Sequence, residues 1–263
     1  MSLIAYRASD GTEIESFSVD QIEWDLMRTE PKGSFRMFGT DWPAVLKRSI
    51  RGLQHFAHAS GYPGQLPSPE SEEHQYAKIA VVRGLRKAGF QAWVERGGST
   101  PDGGKWVADV LCRDQERVIA FEVQLAAQTL AEYEQRTSKY LRAGVKCVWI
   151  AKSTRYATLQ SALAHKAQRE GTELSRPGGI LIIPGLPHMP AVPLKVPEKI
   201  ALSSESLKVV VFQDEKPGHL SIGDFAVGVM GGALVFTPDR QWRWKGEPKA
   251  TPFQFNQRAP SKA

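Results

Sequence analysis

The chain has 263 residues, 41% of them hydrophobic and 24% charged, with 34 Lys and Arg against 28 Asp and Glu. This composition excludes an intrinsically disordered chain, and we expect neither a membrane span nor a secretory signal, because no apolar run of about 18 residues and no charged leader before an apolar segment occurs. The net charge of +6 favours an anionic partner such as nucleic acid, although many basic proteins bind none.

Residues 1–62 are predicted to form a small module of short strands and turns, because turn-forming sequences interrupt its apolar runs at DGTE, EPKG and GTDWP. The segment KRSIRG within it is a basic strip that carries Lys47, Arg48 and Arg51. These side chains either contact a phosphate backbone or belong to a solvated loop.

The first long element is a helix predicted from about Pro69 to Lys87. Ser68 suits the N-cap, and Glu residues follow it in the first turn, where the helix dipole stabilises negative charge. Gly89 is a typical C-terminal stop.

Three strands are predicted next, at about 90–95, 105–112 and 117–124, and the short RDQE turn favours a hairpin between the last two. A helix at about 128–142, the strand VKCVWIA, a helix at about 154–169 and the strand GILIIP follow. This order predicts an α/β fold with a mixed central sheet flanked by helices on both faces. Cys112 and Cys147 lie inside apolar strands, so we predict buried, inert thiols and a cytoplasmic protein.

The region from about residue 186 begins Pro-rich and contains the strand-like runs LKVVVF and GALVF. Near its end, Trp242 and Trp244 alternate with Arg243 and Lys245. That alternation fits either base stacking with phosphate contacts or the packing of one strand face. We therefore predict three regions, which are the N-terminal module 1–62, a core 63–185 and a C-terminal extension 186–263 of unassigned role.

Carboxylates interrupt two of the apolar strands. Asp109 lies in KWVADVLC, and Glu122 shares one face of the next strand with Gln124. The short turn makes Asp109 and Glu122 cross-strand neighbours, which could either pair with Lys or Arg or hold a divalent ion such as Mg²⁺ or Mn²⁺.

Two helix faces add further polar groups. Glu70, His74 and Lys78 recur at a spacing of four residues, with Glu73 adjacent, which indicates either a solvated face or a contribution to a site. The later helix carries the stripe Tyr133, Arg136 or Thr137, and Tyr140, which usually indicates core packing. A guanidinium in such a stripe needs an anion, and Glu122 or a phosphate could supply it.

An ordered set of motifs resembles the competence protein CoiA family. The motifs are ESEEHQYAK at 70–78, ADV at 108–110, FEVQ at 121–124, RTSKY at 136–140 and CVWIA at 147–151, with HFAH at 55–58 as a further resemblance. The match covers about residues 45–152, and its specificity lies in the ordered set. The family is a branch of the PD-(D/E)XK nuclease superfamily in which Gln replaces the final Lys, so the resemblance implies a restriction-endonuclease-like core.

The resemblance also implies roles for individual residues. Asp109 and Glu122 would be metal ligands, Glu70 or Glu73 would complete the metal shell, and Gln124 would hold the position of the usual Lys. The supporting shell would be His74, Lys78, Arg136 and Tyr140, of which we expect Arg136 and Tyr140 to contact nucleic acid.

Two departures matter, the first from the superfamily pattern and the second from the family pattern. Gln124 cannot take a proton or offset charge. In a working nuclease the missing positive charge must therefore come from the metal, from a second metal, from Arg136 or, as the preferred substitute, from Lys78. Family members commonly carry Cys pairs before the HFAH-like element, whereas this chain has no Cys before Cys112. His55 and His58 alone cannot close a tetrahedral zinc site, so we expect a zinc-free N-terminal module.

Two functions remain open at this point. The first is an Mg²⁺- or Mn²⁺-dependent deoxyribonuclease, expected to be an endonuclease, acting in DNA uptake, recombination or defence against foreign DNA. The second is a non-catalytic adaptor that binds single-stranded or forked DNA and passes it to a helicase or recombinase. The sequence does not exclude RNA as the substrate, and it leaves the oligomeric state open.

Overall fold

The computed structural model describes residues 1–65, 70–115, 117–171, 189–197, 206–213, 216–237 and 239–245. The chain divides into two compact units, Met1–Ile79 and Ala80–Ala263. The predicted N-cap Ser68 and the predicted strand GILIIP lie outside the described residues, and the three-region division stays a prediction.

Among the described residues, no helix combines the length and the apolar character that crossing a bilayer requires.

The first unit is built from short strands, as predicted. Its elements are β1 (Ile4–Arg7), β2 (Glu13–Glu15), α1 (Gln21–Met27), β3 (Phe35–Met37), β4 (Ala44–Arg48), β5 (Gln54–His58) and the beginning of α2 (Glu72–Lys87). The first three strands form an antiparallel sheet in the order β2-β1-β3, and β4 pairs with β5 as an antiparallel hairpin.

Helix α1 was not predicted. Asp20 caps it by accepting a hydrogen bond from the backbone N–H of Glu23. Trp24 and Met27, three residues apart, are buried, and the Trp24 ring packs on Phe56 with a centroid distance of 5.1 Å. Burial of these two side chains against the small sheets therefore fixes the helix.

The second unit contains the sheet that carries the central motifs. After the end of α2 come β6 (Gln91–Ser99), β7 (Lys105–Asp114), β8 (Arg117–Gln124), α3 (Leu130–Arg142), β9 (Lys146–Lys152), α4 (Ser153–Arg169), β10 (Ala191–Lys195), β11 (Lys208–Gln213), β12 (Lys216–Ser221), α5 (Ile222–Met230), β13 (Leu234–Phe236) and β14 (Trp242–Trp244). The predicted helices and strands between residues 70 and 169 are confirmed to within a few residues at their ends.

The sheet of the second unit is mixed, which confirms the predicted fold class. Its main path is β13-β14-β11-β10-β9-β8-β7-β6, and β12 pairs with β11 beside this path. Strands β6, β7 and β8 are antiparallel, whereas β8 and β10 both run parallel to β9. The long crossovers that parallel pairing requires are supplied by α3 between β8 and β9 and by α4 after β9.

Helices α3 and α4 cover the face of β9 that carries Cys147 and Trp149. Thr129 and Glu132 form a capping box at the start of α3, so the first turn satisfies its own N–H groups. Gly144 follows α3 with a φ of 71°, which allows the turn into β9. Both cysteines are buried and free, as predicted, and burial raises the pKa of the Cys112 thiol to about 12.

Helices α2 and α5 approach each other at a pair of glycines. A Cβ added to Gly84 would lie 2.6 Å from the Cα of Gly223, and a Cβ on Gly223 would lie 2.9 Å from the carbonyl oxygen of Ala80. Both obstacles are backbone atoms, so a side chain at either position requires the helices to move apart.

We predict that Gly84→Ala lowers the free energy of unfolding by about 1 to 3 kcal/mol, the usual cost of overpacking. Gly228→Ala in α5 is the matched control, because its added Cβ meets the side chain of Leu234 rather than backbone. Urea denaturation followed by circular dichroism measures both changes. A Gly84→Ala protein as stable as the wild type would contradict the close helix approach.

Candidate functional site

The β7–β8 hairpin positions the two carboxylates that the sequence singled out. Its register pairs Val110 with Phe121, so Asp109 and Glu122 occupy the next opposing positions of the two strands. The Oδ2 atom of Asp109 accepts a hydrogen bond of 2.8 Å from the backbone N–H of Val123. The predicted cross-strand proximity is therefore present, and backbone geometry orients one of the two carboxylates.

Glu122 is completely buried, with an exposed fraction of 0%. The Nη2 atom of Arg136 donates to one of its carboxylate oxygens, and the hydroxyl of Tyr140 donates to the other. An isolated buried carboxylate is strongly destabilising, whereas one bound by a guanidinium and a hydroxyl is compensated. The anion that Arg136 requires is therefore Glu122, the first of the two alternatives that the sequence left open.

Trp149 of β9 completes the surroundings of Arg136. The parallel register pairs Glu122 with Trp149, and the guanidinium carbon of Arg136 lies 4.9 Å from the centre of the indole ring. The indole N–H donates to Thr137 Oγ1 at 3.0 Å, and Tyr133 packs edge-on against the same ring. A cation–π contact and a fixed indole thus hold Arg136 in one orientation.

The charges in this cluster shift the pKa values of its members. Burial acts to lower the pKa of Arg136, but the negative charges of Glu122 and Asp109 outweigh it and raise that pKa. Burial, with the charge of Glu122 and its hydrogen bond, raises the pKa of Tyr140 far above its usual range. Tyr140 is therefore a neutral hydrogen-bond donor at physiological pH, and it does not act as a base.

Gln124 lies next to the same guanidinium. Its amide nitrogen donates to the carbonyl of Ala126 at 3.0 Å, and its amide oxygen accepts from Nη1 of Arg136 at 3.5 Å. The same Nη1 atom donates to Gln128 Oε1 at 3.4 Å. Gln124 thus brings a neutral amide into contact with a cation.

In the first unit, Glu70 and Lys78 form an ion pair with a distance of 2.6 Å between Lys78 Nζ and Glu70 Oε2. Gln75 donates to the same oxygen at 2.5 Å. Lys78 is 0% exposed, so its ammonium is a buried, paired charge. Because Lys78 is buried and paired, it is a poorer source of the missing positive charge than Arg136, whose side chain is 39% exposed.

The remaining candidates of the first unit lie in other contacts. Arg51 pairs with Glu73 at 3.2 Å, which places a predicted phosphate contact against a predicted metal ligand. Arg48 pairs with Asp25 at 3.1 Å, while Lys47 is exposed.

The two histidines of HFAH have separate surroundings. His55 is buried and contacts the carbonyl of Leu53, whereas His58 contacts the hydroxyl of Thr40 at 2.9 Å and packs against the Tyr62 ring. Burial lowers the pKa of both imidazoles, so both are neutral at pH 7. Their contacts in the first unit are those of structural side chains.

Sequence reasoning missed Trp149 and Gln128 as neighbours of Arg136. Trp149 was read only as part of the apolar strand VKCVWIA. The parallel pairing of β8 with β9 could have indicated that Trp149 is near Glu122 and Arg136, since it places one residue of β9 directly beside Glu122. The sequence places Gln128 at the start of the helix predicted at about 128–142, whereas α3 begins at Leu130 and Gln128 lies in the connection before it.

Residues 70–174 match the sequence family described as "Competence protein CoiA, nuclease-like domain". No curated protein is similar enough to the chain to count as a match. A solved structure titled "Crystal Structure of Protein of Unknown Function AF1548" is similar over 30% of this chain and 46% of that chain, with 16% identity and a TM-score of 0.25. The chain therefore spans less than half of that protein's length.

We predict that Tyr140→Phe lowers the free energy of unfolding by about 1 to 3 kcal/mol, because it removes the hydroxyl donor of a buried carboxylate while keeping the ring. Tyr133→Phe is the matched control on α3, since the Tyr133 hydroxyl has no hydrogen-bond partner among the described residues. Chemical denaturation of both variants provides the comparison. Equal stabilities would show that the Tyr140–Glu122 contact contributes nothing.

Proposed function

We propose that the protein is a divalent-metal-dependent nuclease that hydrolyses phosphodiester bonds of DNA, and the match of residues 70–174 to the CoiA nuclease-like domain family supports this proposal. The observation that carries the proposal is the end of the β7–β8 hairpin, where Asp109, Glu122 and Gln124 lie beside Arg136. The processes that fit such an activity are DNA uptake, recombination and defence against foreign DNA. The two buried free cysteines support a reducing, cytoplasmic location.

The donor atoms in this chain fit a hard divalent cation. Asp109 of the second unit carries a carboxylate, and Glu70 and His74 of the first unit carry a carboxylate and an imidazole. Carboxylate oxygens favour Mg²⁺, and the addition of an imidazole is also compatible with Mn²⁺. When bound, the ion lowers the pKa of a water molecule and neutralises charge on the phosphate oxygens.

The proposed role of Glu122 follows from its burial. Both carboxylate oxygens accept hydrogen bonds from α3, so in this structure Glu122 holds Arg136 in place. Direct ligation of a metal by Glu122, as the family resemblance implies, would use a carboxylate oxygen that already accepts a hydrogen bond from α3. We therefore assign metal binding first to Asp109 and charge positioning to Glu122.

Arg136 supplies the positive charge that Gln124 lacks. A guanidinium offers five N–H donors, and those of Arg136 reach Glu122, Gln124 and Gln128 while the side chain stays partly exposed. A phosphate group beside Gln124 would receive hydrogen bonds from a cation that is already oriented. Gln124 itself positions water or phosphate through its amide.

A non-catalytic adaptor is the second candidate. The neutral Gln124 at the usual Lys position and the net charge of +6 favour it. Metal-independent binding of single-stranded or forked DNA, with no cleavage of any DNA form, would identify the adaptor, which would then pass DNA to a helicase or recombinase. Metal-dependent cleavage would remove it.

We expect the wild-type protein to nick or linearise circular DNA with Mg²⁺ or Mn²⁺ and to leave it intact with a chelator. Asp109→Asn should abolish cleavage without unfolding the protein, because it removes a ligand charge and keeps an acceptor for the Val123 N–H. Asp114→Asn at the other end of β7 is the matched control, since Asp114 pairs only locally with Arg117 at 2.9 Å. Cleavage that survives Asp109→Asn would contradict the proposed metal role of Asp109.

We also expect Arg136→Lys to lower the cleavage rate by about 10²-fold, the loss typical of removing one positioned donor. Lys retains a charge but cannot reach Glu122 and Gln124 at the same time. Arg142→Lys on the same helix is the control, because Arg142 lies on an exposed position near Asp102. Single-turnover cleavage rates measure the effect, and equal rates for the two variants would exclude the proposed role of Arg136.

A further inference from the structure

A cavity of about 210 Å³ lies in the second unit, against strands β10, β11 and β14. Three aromatic side chains line it, Tyr156 from α4, Phe212 from β11 and Trp242 from β14. Pro193 and Arg240 belong to the same wall. Tyr156 also packs against the hydrophobic core cluster that includes Tyr140 and Trp149. Among the described residues, the hydrogen bonds of Tyr156, Arg240 and Trp242 go to Arg240, Gln160, Met189 and Ala191 rather than to Glu122 or Arg136, so the cavity is distinct from the candidate active site.

Hydrogen bonds hold two of the three rings. The indole N–H of Trp242 donates to the carbonyl of Ala191 at 3.1 Å, and the hydroxyl of Tyr156 donates to the carbonyl of Arg240 at 3.1 Å. Phe225 also packs edge-on against Trp242 with a centroid distance of 5.1 Å. The aromatic walls are thus fixed before any ligand arrives, which lowers the entropic cost of binding.

Arg240 is an unusual component of this wall because it is buried, with an exposed fraction of 6%. Its Nε donates to Gln160 Oε1 at 2.8 Å, its Nη2 donates to the carbonyl of Met189 at 3.1 Å, and its guanidinium carbon lies 5.4 Å from the centre of the Phe236 ring. All of these partners are neutral. Within the described residues no carboxylate forms an ion pair with Arg240, although buried Arg side chains are normally paired with an acid.

The backbone at Arg240 is also strained. Its φ is 62°, in the left-handed region, within the turn between β13 and β14. Such a position in a hairpin normally selects Gly or Asn, because other side chains are strained in that conformation. The left-handed backbone and the burial of the Arg240 cation both lower the stability of the fold. Stability alone therefore does not account for an Arg at this position.

We propose that this cavity binds one unstacked base of a DNA single strand, with Arg240 donating to a ring carbonyl or to the adjacent phosphate. The proposal rests on the proposed function in DNA processing, and it assigns a role to the C-terminal extension. Aromatic walls provide stacking surfaces for any base. A volume of about 210 Å³ is below the roughly 300 to 1,000 Å³ of sites for larger ligands, so it suits a single planar ring.

Binding of a fluorescent oligothymidylate tests the proposal in Asp109→Asn protein with a chelator, which prevents cleavage. Phe212→Leu, which keeps an apolar side chain but removes the stacking surface, should weaken binding by about tenfold. Phe212→Trp should restore the affinity. Phe90→Leu, which changes a partly buried ring outside the cavity wall, should leave binding unchanged.

Three outcomes decide the proposal. Equal affinities of the Phe212→Leu and Phe90→Leu proteins would overturn it, as would a complete absence of oligothymidylate binding. Tighter binding of free thymidine monophosphate than of the oligonucleotide would also overturn it, because the site would then serve a free nucleotide. The cleavage assay with Asp109→Asn reports separately on the nuclease, so failure of the base pocket and failure of the proposed function can be distinguished.

Discussion

The second unit depends on the compensation of one buried negative charge, the carboxylate of Glu122. The strand residues directly before and after Glu122, Phe121 and Val123, are apolar, and the Glu122 side chain is 0% exposed. A carboxylate in that environment is tolerated only with strong donors on both oxygens, and Arg136 and Tyr140 provide them from α3. The rotation of α3 about its axis is therefore fixed by polar contacts as well as by the packing of its apolar stripe.

The need to compensate the charge of Glu122 also explains the polar and aromatic residues on the facing sides of α3 and β9. Positions 133, 136, 137 and 140 lie on one face of the helix, and that face meets a strand whose Trp149 is paired in register with Glu122. Trp149 gives Arg136 an aromatic surface and gives Thr137 a hydrogen bond. A slip of β9 by one residue would exchange Trp149 for a neighbour on the opposite face and remove both contacts.

Patterns with a local cause were predictable from the sequence. The hairpin of β7 and β8 follows from a short turn between two strand-like runs, and the ends of α2 and α3 follow from Gly89 and Gly144. The adjacency of Asp109 and Glu122 is a consequence of that hairpin. Helix α1 was missed because Ile22, Trp24 and Leu26 alternate as in a strand, whereas the structure buries Trp24 and Met27 and leaves Ile22 and Leu26 exposed.

Long-range contacts were not predictable in the same way. Pro193 argues against a strand, yet β10 pairs in parallel with β9 across a gap of about forty residues in the sequence. The sequence also left open whether Arg136 meets Glu122 or a phosphate, and it favoured Lys78 over Arg136 as a source of charge. Both questions depend on burial, and burial is set by how distant elements pack.

A Lys at position 124 would meet a local electrostatic conflict. Nη1 of Arg136 lies 3.5 Å from the Gln124 amide oxygen, so an ammonium group at that position would face a guanidinium at short range. Like charges at such a distance repel, and the low-dielectric surroundings would strengthen the repulsion. A neutral acceptor at position 124 removes that conflict and helps to hold Arg136. In the proposed reaction, Gln124 and Arg136 therefore act as a pair, in which the amide orients and the guanidinium carries the charge that a single Lys would otherwise provide.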